Sequence, residues 1–173
     1  HLPFLHHVSC LDLEMLDYQT ANRFYNSVAC IQDHLKKPFA MKAMIINWNI
    51  EVISNIIPQS IFLYLRRNPV DTILSIINAR KAHKGSANAW WSFVPPEIDE
   101  ISSRTPYDQV AYFVWSCHDA VTKSLTKLPE SRKIFVEFDS LLNKSKIVWE
   151  QLRSSYNFYG HDLGIMSSNL NNI

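Results

Sequence analysis

Apolar residues recur at the spacing of an amphipathic helix in five segments of the chain. In each segment, hydrophobic side chains stand three and four residues apart, which aligns them on one face of a helix. The clearest segment begins at Thr105-Pro106, where a capping residue and a proline precede an apolar stripe over 110–125. The other segments predict helices over about 18–35, 50–57, 70–84 and 140–156.

Three short apolar runs between these helices predict strands. Residues 61–65 are five consecutive apolar residues, a pattern typical of a central parallel strand covered on both faces. Residues 39–42 predict a buried strand that ends in a lysine, and 133–138 predict another short strand. Because strands and helices alternate along the chain, the order predicts an α/β fold of three layers, with a central parallel sheet between helices.

Composition is that of an ordinary globular protein of one domain. The 173 residues are 47% hydrophobic and 19% charged, which is enough apolar material for a single core. The formal net charge of +1 shows no basic bias, so nucleic acid is not an expected partner. No apolar stretch approaches the roughly 18 residues that a membrane helix needs, so no membrane partner is expected. The start, His1-Leu2-Pro3, suggests that the chain begins inside a longer gene product.

The glycine, cysteine and histidine residues limit the kinds of functional site that the chain can form. Three glycines leave no room for a glycine-rich phosphate loop. The three cysteines, Cys10, Cys30 and Cys117, are far apart and odd in number, which predicts reduced, mostly buried thiols of a cytoplasmic protein. The histidines show no metal-ligand spacing and no HExxH motif occurs, so no catalytic metal is expected.

Cationic residues follow two of the predicted strands. Lys42 ends the first of these strands, and Arg66 and Arg67 follow the second. Ligands of open α/β sheets bind beyond the carboxyl ends of the strands, where a guanidinium can fork onto phosphate oxygens. Ser75, eight residues after Arg67, could share such an anion. The spacing is equally compatible with an arginine that pairs with Asp71 and an ordinary helix residue at Ser75.

The segment that carries these residues resembles a known motif. IFLYLRRNPVDTILS at 61–75 is similar to the 3′-phosphate-binding motif of sulfotransferases: an apolar strand, Arg-Asn-Pro, and a serine eight residues after the arginine. The resemblance implies that Arg67 and Ser75 hold the 3′-phosphate of 3′-phosphoadenosine 5′-phosphosulfate (PAPS). Lys42 stands 25 residues before Arg67, about where the family carries a lysine that contacts the transferring sulfuryl group.

Later segments resemble the same family. WWSFVPP at 90–96 is similar to a segment of bacterial members, and Trp115 stands where many members have a helix tryptophan. VEFDSLL at 136–142 resembles the family's Arg-Tyr-Glu-Asp-Leu stretch, with Phe138 in place of the usual tyrosine. The resemblance is best over 39–152 of a single domain at 1–173, and it implies the P-loop NTPase-like fold of sulfotransferases.

Several family features are missing from the chain. The Pro-Arg-Ser-Gly-Thr-Thr-like loop for the 5′-phosphosulfate does not occur, and neither does the C-terminal basic-glycine motif. Met44 occupies the place of the histidine in the Lys-x-His pattern of cytosolic aryl and steroid sulfotransferases. The chain is therefore interpreted either as an internal fragment or as a degenerate member of the family.

The resemblance implies sulfuryl transfer from PAPS to a hydroxyl or amine of a small-molecule or carbohydrate acceptor. Lys42 suits the stabilisation of charge on the sulfuryl group. His7, with its neighbour His6, is a candidate base because a neutral imidazole has a suitable pKa, and Glu14 is another candidate. The alternatives are a degenerate nucleotide-binding or scaffold domain, and a P-loop kinase, whose Walker motif is absent.

Aromatic residues mark the loop after the helix at 70–84. Trp90, Trp91 and Phe93 are hypothesised to line the acceptor pocket, and the alternative is that they plug the loop onto the core. Charged residues end the same helix and are predicted to form a solvated, dipole-complementing cluster, or alternatively to steer a dianionic cofactor inwards: Arg80, Lys81, His83 and Lys84.

Overall fold

The computed structural model describes residues 16–42, 44–91, 93–158 and 160, and it shows a mixed α/β fold that is mostly helical. The elements in chain order are α1 (Tyr18–Leu35), α2 (Ile50–Ile56), β1 (Phe62–Arg66), α3 (Pro69–Lys84), α4 (Ile98–Ile101), α5 (Pro106–Thr126), β2 (Lys133–Glu137), α6 (Phe138–Asn143) and α7 (Ser145–Phe158). Short 3₁₀ helices at Met44–Trp48 and Glu130–Arg132 precede α2 and β2.

Four of the five predicted helices are confirmed, and local capping explains where two of them start. Asp17 caps α1, since its carboxylate accepts a hydrogen bond from the Thr20 backbone N–H at 2.8 Å. Thr105 caps α5 in the same way and accepts from the Asp108 N–H at 3.3 Å. The single helix predicted over 140–156 is wrong, because α6 ends and α7 begins on either side of Lys144, whose backbone leaves the helical region.

The chain divides into two compact units. The first contains the described residues of His1–Pro58 and Pro69–Ser124, and the second those of Gln59–Asn68 and Leu125–Ile173. The first unit is mostly helical, and its buried apolar residues include Val28, Ile50, Val52, Ile77, Ile101, Val110 and Val121. In the second unit, Ile134 and Val136 of β2 pack with Val148 of α7.

In the described residues of the second unit, two strands form a parallel sheet. Phe62 of β1 pairs with Lys133 of β2, and the register continues to Arg66 and Glu137. Arg132, just before β2, donates hydrogen bonds to the Ser60 carbonyl at 3.0 Å and to the Ser60 hydroxyl at 2.9 Å. These bonds join the starts of the two strands. Because the strands are parallel and in register, both end at the same edge of the sheet.

The prediction that β1 is covered on both faces is wrong. The side chains of Leu63 and Leu65 are 43% and 41% exposed. Their register partners, Ile134 and Val136, are buried because α7 packs on them. Leu63 and Leu65 lie on the same face of the sheet as Ile134 and Val136, but α7 covers that face only at β2.

The predicted strand at 39–42 is also wrong. These residues have no regular secondary structure, and Ala40, Met41 and Lys42 are exposed. Pro38 lacks the N–H that a strand ladder needs, and a 3₁₀ helix starts at Met44. Lys42 therefore lies in an irregular segment and not at the end of a strand.

Candidate functional site

Arg66 and Arg67 stand at the carboxyl edge of the parallel sheet, but their surroundings differ. Arg66 ends β1 and forms an ion pair with Glu137, the last residue of β2, with Nη2 2.5 Å from Oε1. Its guanidinium also lies 5.4 Å from the centre of the Phe135 ring. Among the described residues, the ion-pair partner of Arg66 is therefore Glu137, whereas the alternative interpretation of the sequence expected Asp71.

Arg67 is exposed, and its guanidinium lies 4.8 Å from the centre of the Phe138 ring. Within the described part of the second unit, this ring contact is the interaction that orients Arg67. A cation–π contact uses the face of the guanidinium and leaves its N–H donors at the edge available. Arg67 is therefore presented as a free, oriented fork suited to an oxyanion.

Ser75 and Lys42 belong to the first unit, whereas Arg67 belongs to the second. Ser75 is exposed on the second turn of α3, on the side away from the buried Ile77. Lys42 is exposed, and in the described part of the first unit it makes no hydrogen bond or ion pair with Ser75. Their proposed roles stay predictions. His7, with His6 and Glu14, lies outside the described residues.

The segment between α3 and α4, here called the tryptophan loop (residues 85–97), packs part of its aromatic content inwards. Trp90 donates its indole N–H to the Phe93 carbonyl at 2.9 Å and meets the Phe113 ring of α5 edge to face, 5.9 Å between centres. Phe93 contacts Phe113 at 5.1 Å and Trp48 at 5.6 Å. Trp90 and Phe93 therefore plug the loop onto the first unit, as one of the two predicted readings has it.

Trp91 has different surroundings from Trp90. Its ring stacks on the exposed His83 of α3, 5.2 Å between centres and 9° between planes. It is half-buried, and the described structure gives its ring no other aromatic neighbour. Three aromatic residues were predicted to line an acceptor pocket. Trp90 and Phe93 pack against the first unit, so Trp91 is the remaining candidate for that role.

Arg80 is not part of a solvated cluster, so that prediction is wrong for this residue. Its side chain is only 1% exposed, whereas Lys81, His83 and Lys84 are exposed as expected. Its Nη1 donates to the Ala87 carbonyl at 3.2 Å and to Oε1 of Gln109 at 3.0 Å. Its guanidinium lies 4.2 Å from the centre of the Trp90 ring. Burial lowers the pKa of the Arg80 guanidinium.

Sequence reasoning missed the buried polar residues behind the tryptophan loop. Ser116 accepts the Trp48 indole N–H at 3.2 Å and donates to Oε2 of Glu97 at 3.3 Å. The available signal was helical register: Ser116 stands seven residues after Gln109 on α5, and Arg80 stands three after Ile77 on α3. Polar residues at these positions share the buried stripe of their helix, so they are buried with it.

The two described cysteines depart in part from the prediction of buried thiols. Cys30 is exposed on α1, and Cys117 is half-buried on α5. Burial raises the pKa of the Cys117 thiol to about 12, and the charge of Glu97 contributes to the rise. A thiol that stays protonated at neutral pH is a poor nucleophile, so Cys117 is not a candidate catalytic residue.

Comparison of the chain with protein-family models, curated proteins and solved structures found no match. Among the described residues, no helix combines the length and the apolar character needed to cross a membrane.

Proposed function

We propose that this chain carries the core of a cytoplasmic PAPS-dependent sulfotransferase, which moves a sulfuryl group to a hydroxyl or amine of a small-molecule or carbohydrate acceptor. The observation that carries the proposal is Arg67. It is an exposed guanidinium at the carboxyl edge of a parallel sheet, in a segment that resembles the 3′-phosphate motif of sulfotransferases residue by residue. Edges of this kind are where α/β folds bind ligands.

The reaction needs few groups from the protein. The acceptor oxygen or nitrogen attacks sulfur, the bond from sulfur to the bridging oxygen breaks, and 3′,5′-adenosine bisphosphate leaves. In this proposal Arg67 and Ser75 hold the 3′-phosphate, because a fork and a hydroxyl together fit a phosphate dianion. Lys42 stabilises negative charge on the transferring group, and a base takes the acceptor proton.

In this proposal, the two strands belong to a wider parallel sheet of a three-layer α/β fold. The parallel pairing of β1 and β2 supports it, because parallel strands occur almost only in α/β sheets. Arg66 has no ligand role, since Glu137 already pairs with it.

Calorimetric titration with 3′,5′-adenosine bisphosphate tests the proposal. The Kd should rise roughly thirtyfold or more in Arg67→Ala, because one or two charge-assisted hydrogen bonds to phosphate are lost. Arg66→Ala is the matched control, since it removes the same charge from the neighbouring position and should change the Kd less than about threefold. With 5′-AMP, which lacks the 3′-phosphate, Arg67→Ala should have no comparable effect.

Two results would contradict the proposal. Equal losses in Arg66→Ala and Arg67→Ala would reduce the site to general electrostatic attraction. A folded wild-type chain that binds no 3′,5′-adenosine bisphosphate would favour the degenerate or scaffold alternative.

A further inference from the structure

We propose that Arg80 is a positioning residue that fixes the tryptophan loop to α3 and α5 in the first unit. The proposal rests on the proposed function only in treating this loop as part of the acceptor site. Arg80 itself is 1% exposed and offers almost no surface to a ligand, so it acts through the residues that it holds.

The contacts of Arg80 reach two different elements. In the tryptophan loop, its Nη1 donates to the Ala87 carbonyl and its guanidinium covers a face of Trp90, 4.2 Å from the ring centre. On α5, the same Nη1 donates to Gln109 at 3.0 Å. A planar guanidinium can serve these partners together because its edge donates hydrogen bonds while its face stacks on the ring.

Gln109 extends the network to the segment before α5. Its Nε2 donates to the carbonyls of Ser102 and Arg104, both at 3.0 Å. Gln109 is only 7% exposed. Its side-chain oxygen accepts from Arg80, and its side-chain nitrogen donates to these two carbonyls. The side chain of Arg80 thus lies where α3, the tryptophan loop and the start of α5 meet.

The chemistry of Arg80 indicates position rather than stability as its contribution. Within the described residues, its hydrogen-bond acceptors are a carbonyl and an amide, and its buried Nε has no hydrogen-bond partner. Burying a cation without a carboxylate is unfavourable, and an aliphatic side chain would fill the same space without that penalty. What an aliphatic residue cannot supply is the N–H donor that holds the loop at the Ala87 carbonyl.

The same helix carries Ser75, five residues before Arg80. Since α3 is one continuous helix, the loop that Arg80 holds follows the position of the helix that presents Ser75. Arg80 therefore links the proposed nucleotide helix to the loop that presents Trp91.

Hydrogen–deuterium exchange of the ligand-free chain tests this inference. In Arg80→Met, the amides of 85–91 should exchange about tenfold faster or more, while those of α1 keep their wild-type rates. The exchange rates of 85–91 in Arg80→Lys should lie between those of wild type and those of Arg80→Met. An ammonium keeps the contact with Trp90 but lacks the planar array of N–H donors of a guanidinium. Lys81→Met, which removes the neighbouring exposed cation, is the matched control and should behave as wild type.

Tryptophan fluorescence tests whether the effect of Arg80 reaches the Trp90 ring. Arg80→Met should shift the emission of the wild-type chain, and the shift should vanish in a Trp90→Phe background, because the cation faces that ring. A shift that persists without Trp90 would contradict the contact.

Two exchange results would overturn the inference: unchanged loop exchange in both Arg80 variants, or equal acceleration of α1 and the loop already in Arg80→Lys. The Kd for 3′,5′-adenosine bisphosphate should stay within about threefold of wild type in Arg80→Lys. A loss of nucleotide affinity that accompanies the faster loop exchange would also count against the inference. If the wild-type chain binds no nucleotide, the proposed function fails, whereas the exchange data still decide the role of Arg80.

Discussion

Val136 and Leu65 are register partners in the parallel sheet, and replacing each by alanine tests how that sheet is covered. Val136 is 1% exposed and Leu65 is 41% exposed. Val136→Ala removes two carbon atoms from a closed core, which costs about 1.6 kcal/mol in transfer free energy plus a cavity term, so about 2–3 kcal/mol. Leu65→Ala removes three carbon atoms, but water fills much of the space, and about 1 kcal/mol is expected.

Urea denaturation measures both changes in the free energy of unfolding, provided that the slope against urea concentration stays the same in the two variants. The order is the decisive result, since the substitution that removes fewer atoms should destabilise the chain more. A loss in Leu65→Ala that equals or exceeds the loss in Val136→Ala would refute the reasoning, because it would mean that the face of β1 is covered in solution.

Two further predictions concern single side chains of the first unit. At pH 8, iodoacetamide should alkylate Cys30 roughly a hundredfold faster than Cys117, because the Cys117 pKa of about 12 leaves little thiolate. The alkylation rate of Cys117 should rise with pH. Similar rates for the two cysteines, measured by mass spectrometry, would contradict this. Trp91→Ala should lower stability by only about 1 kcal/mol while it changes the acceptor KM or the acceptor preference, whereas the control Trp90→Ala should cost about 3 kcal/mol or more. Equal losses of stability and activity in Trp91→Ala would refute an acceptor role for that ring.

The sequence alone determined the elements whose cause is local. Helix α1 was predicted over about 18–35 from its apolar spacing alone, and the structure adds the cap at Asp17. The strand before Arg67 and the helix that begins at Pro69 were predictable for a similar reason, since an apolar run and a proline act within a few residues. The local frame of the candidate site, a strand end followed by a helix, came from the same signals.

Tertiary structure decided how those elements are covered and paired. Apolar runs at 39–42 and 61–65 read alike as buried strands, yet one is irregular and the other is half-exposed, because strand pairing depends on a partner remote in sequence. Tertiary structure also determined the contact partners of three arginines. Arg66 pairs with Glu137, Arg67 lies on Phe138, and Arg80 is buried against Trp90. Each partner is more than nine residues away in the chain, so local sequence could name the arginines but not what they face.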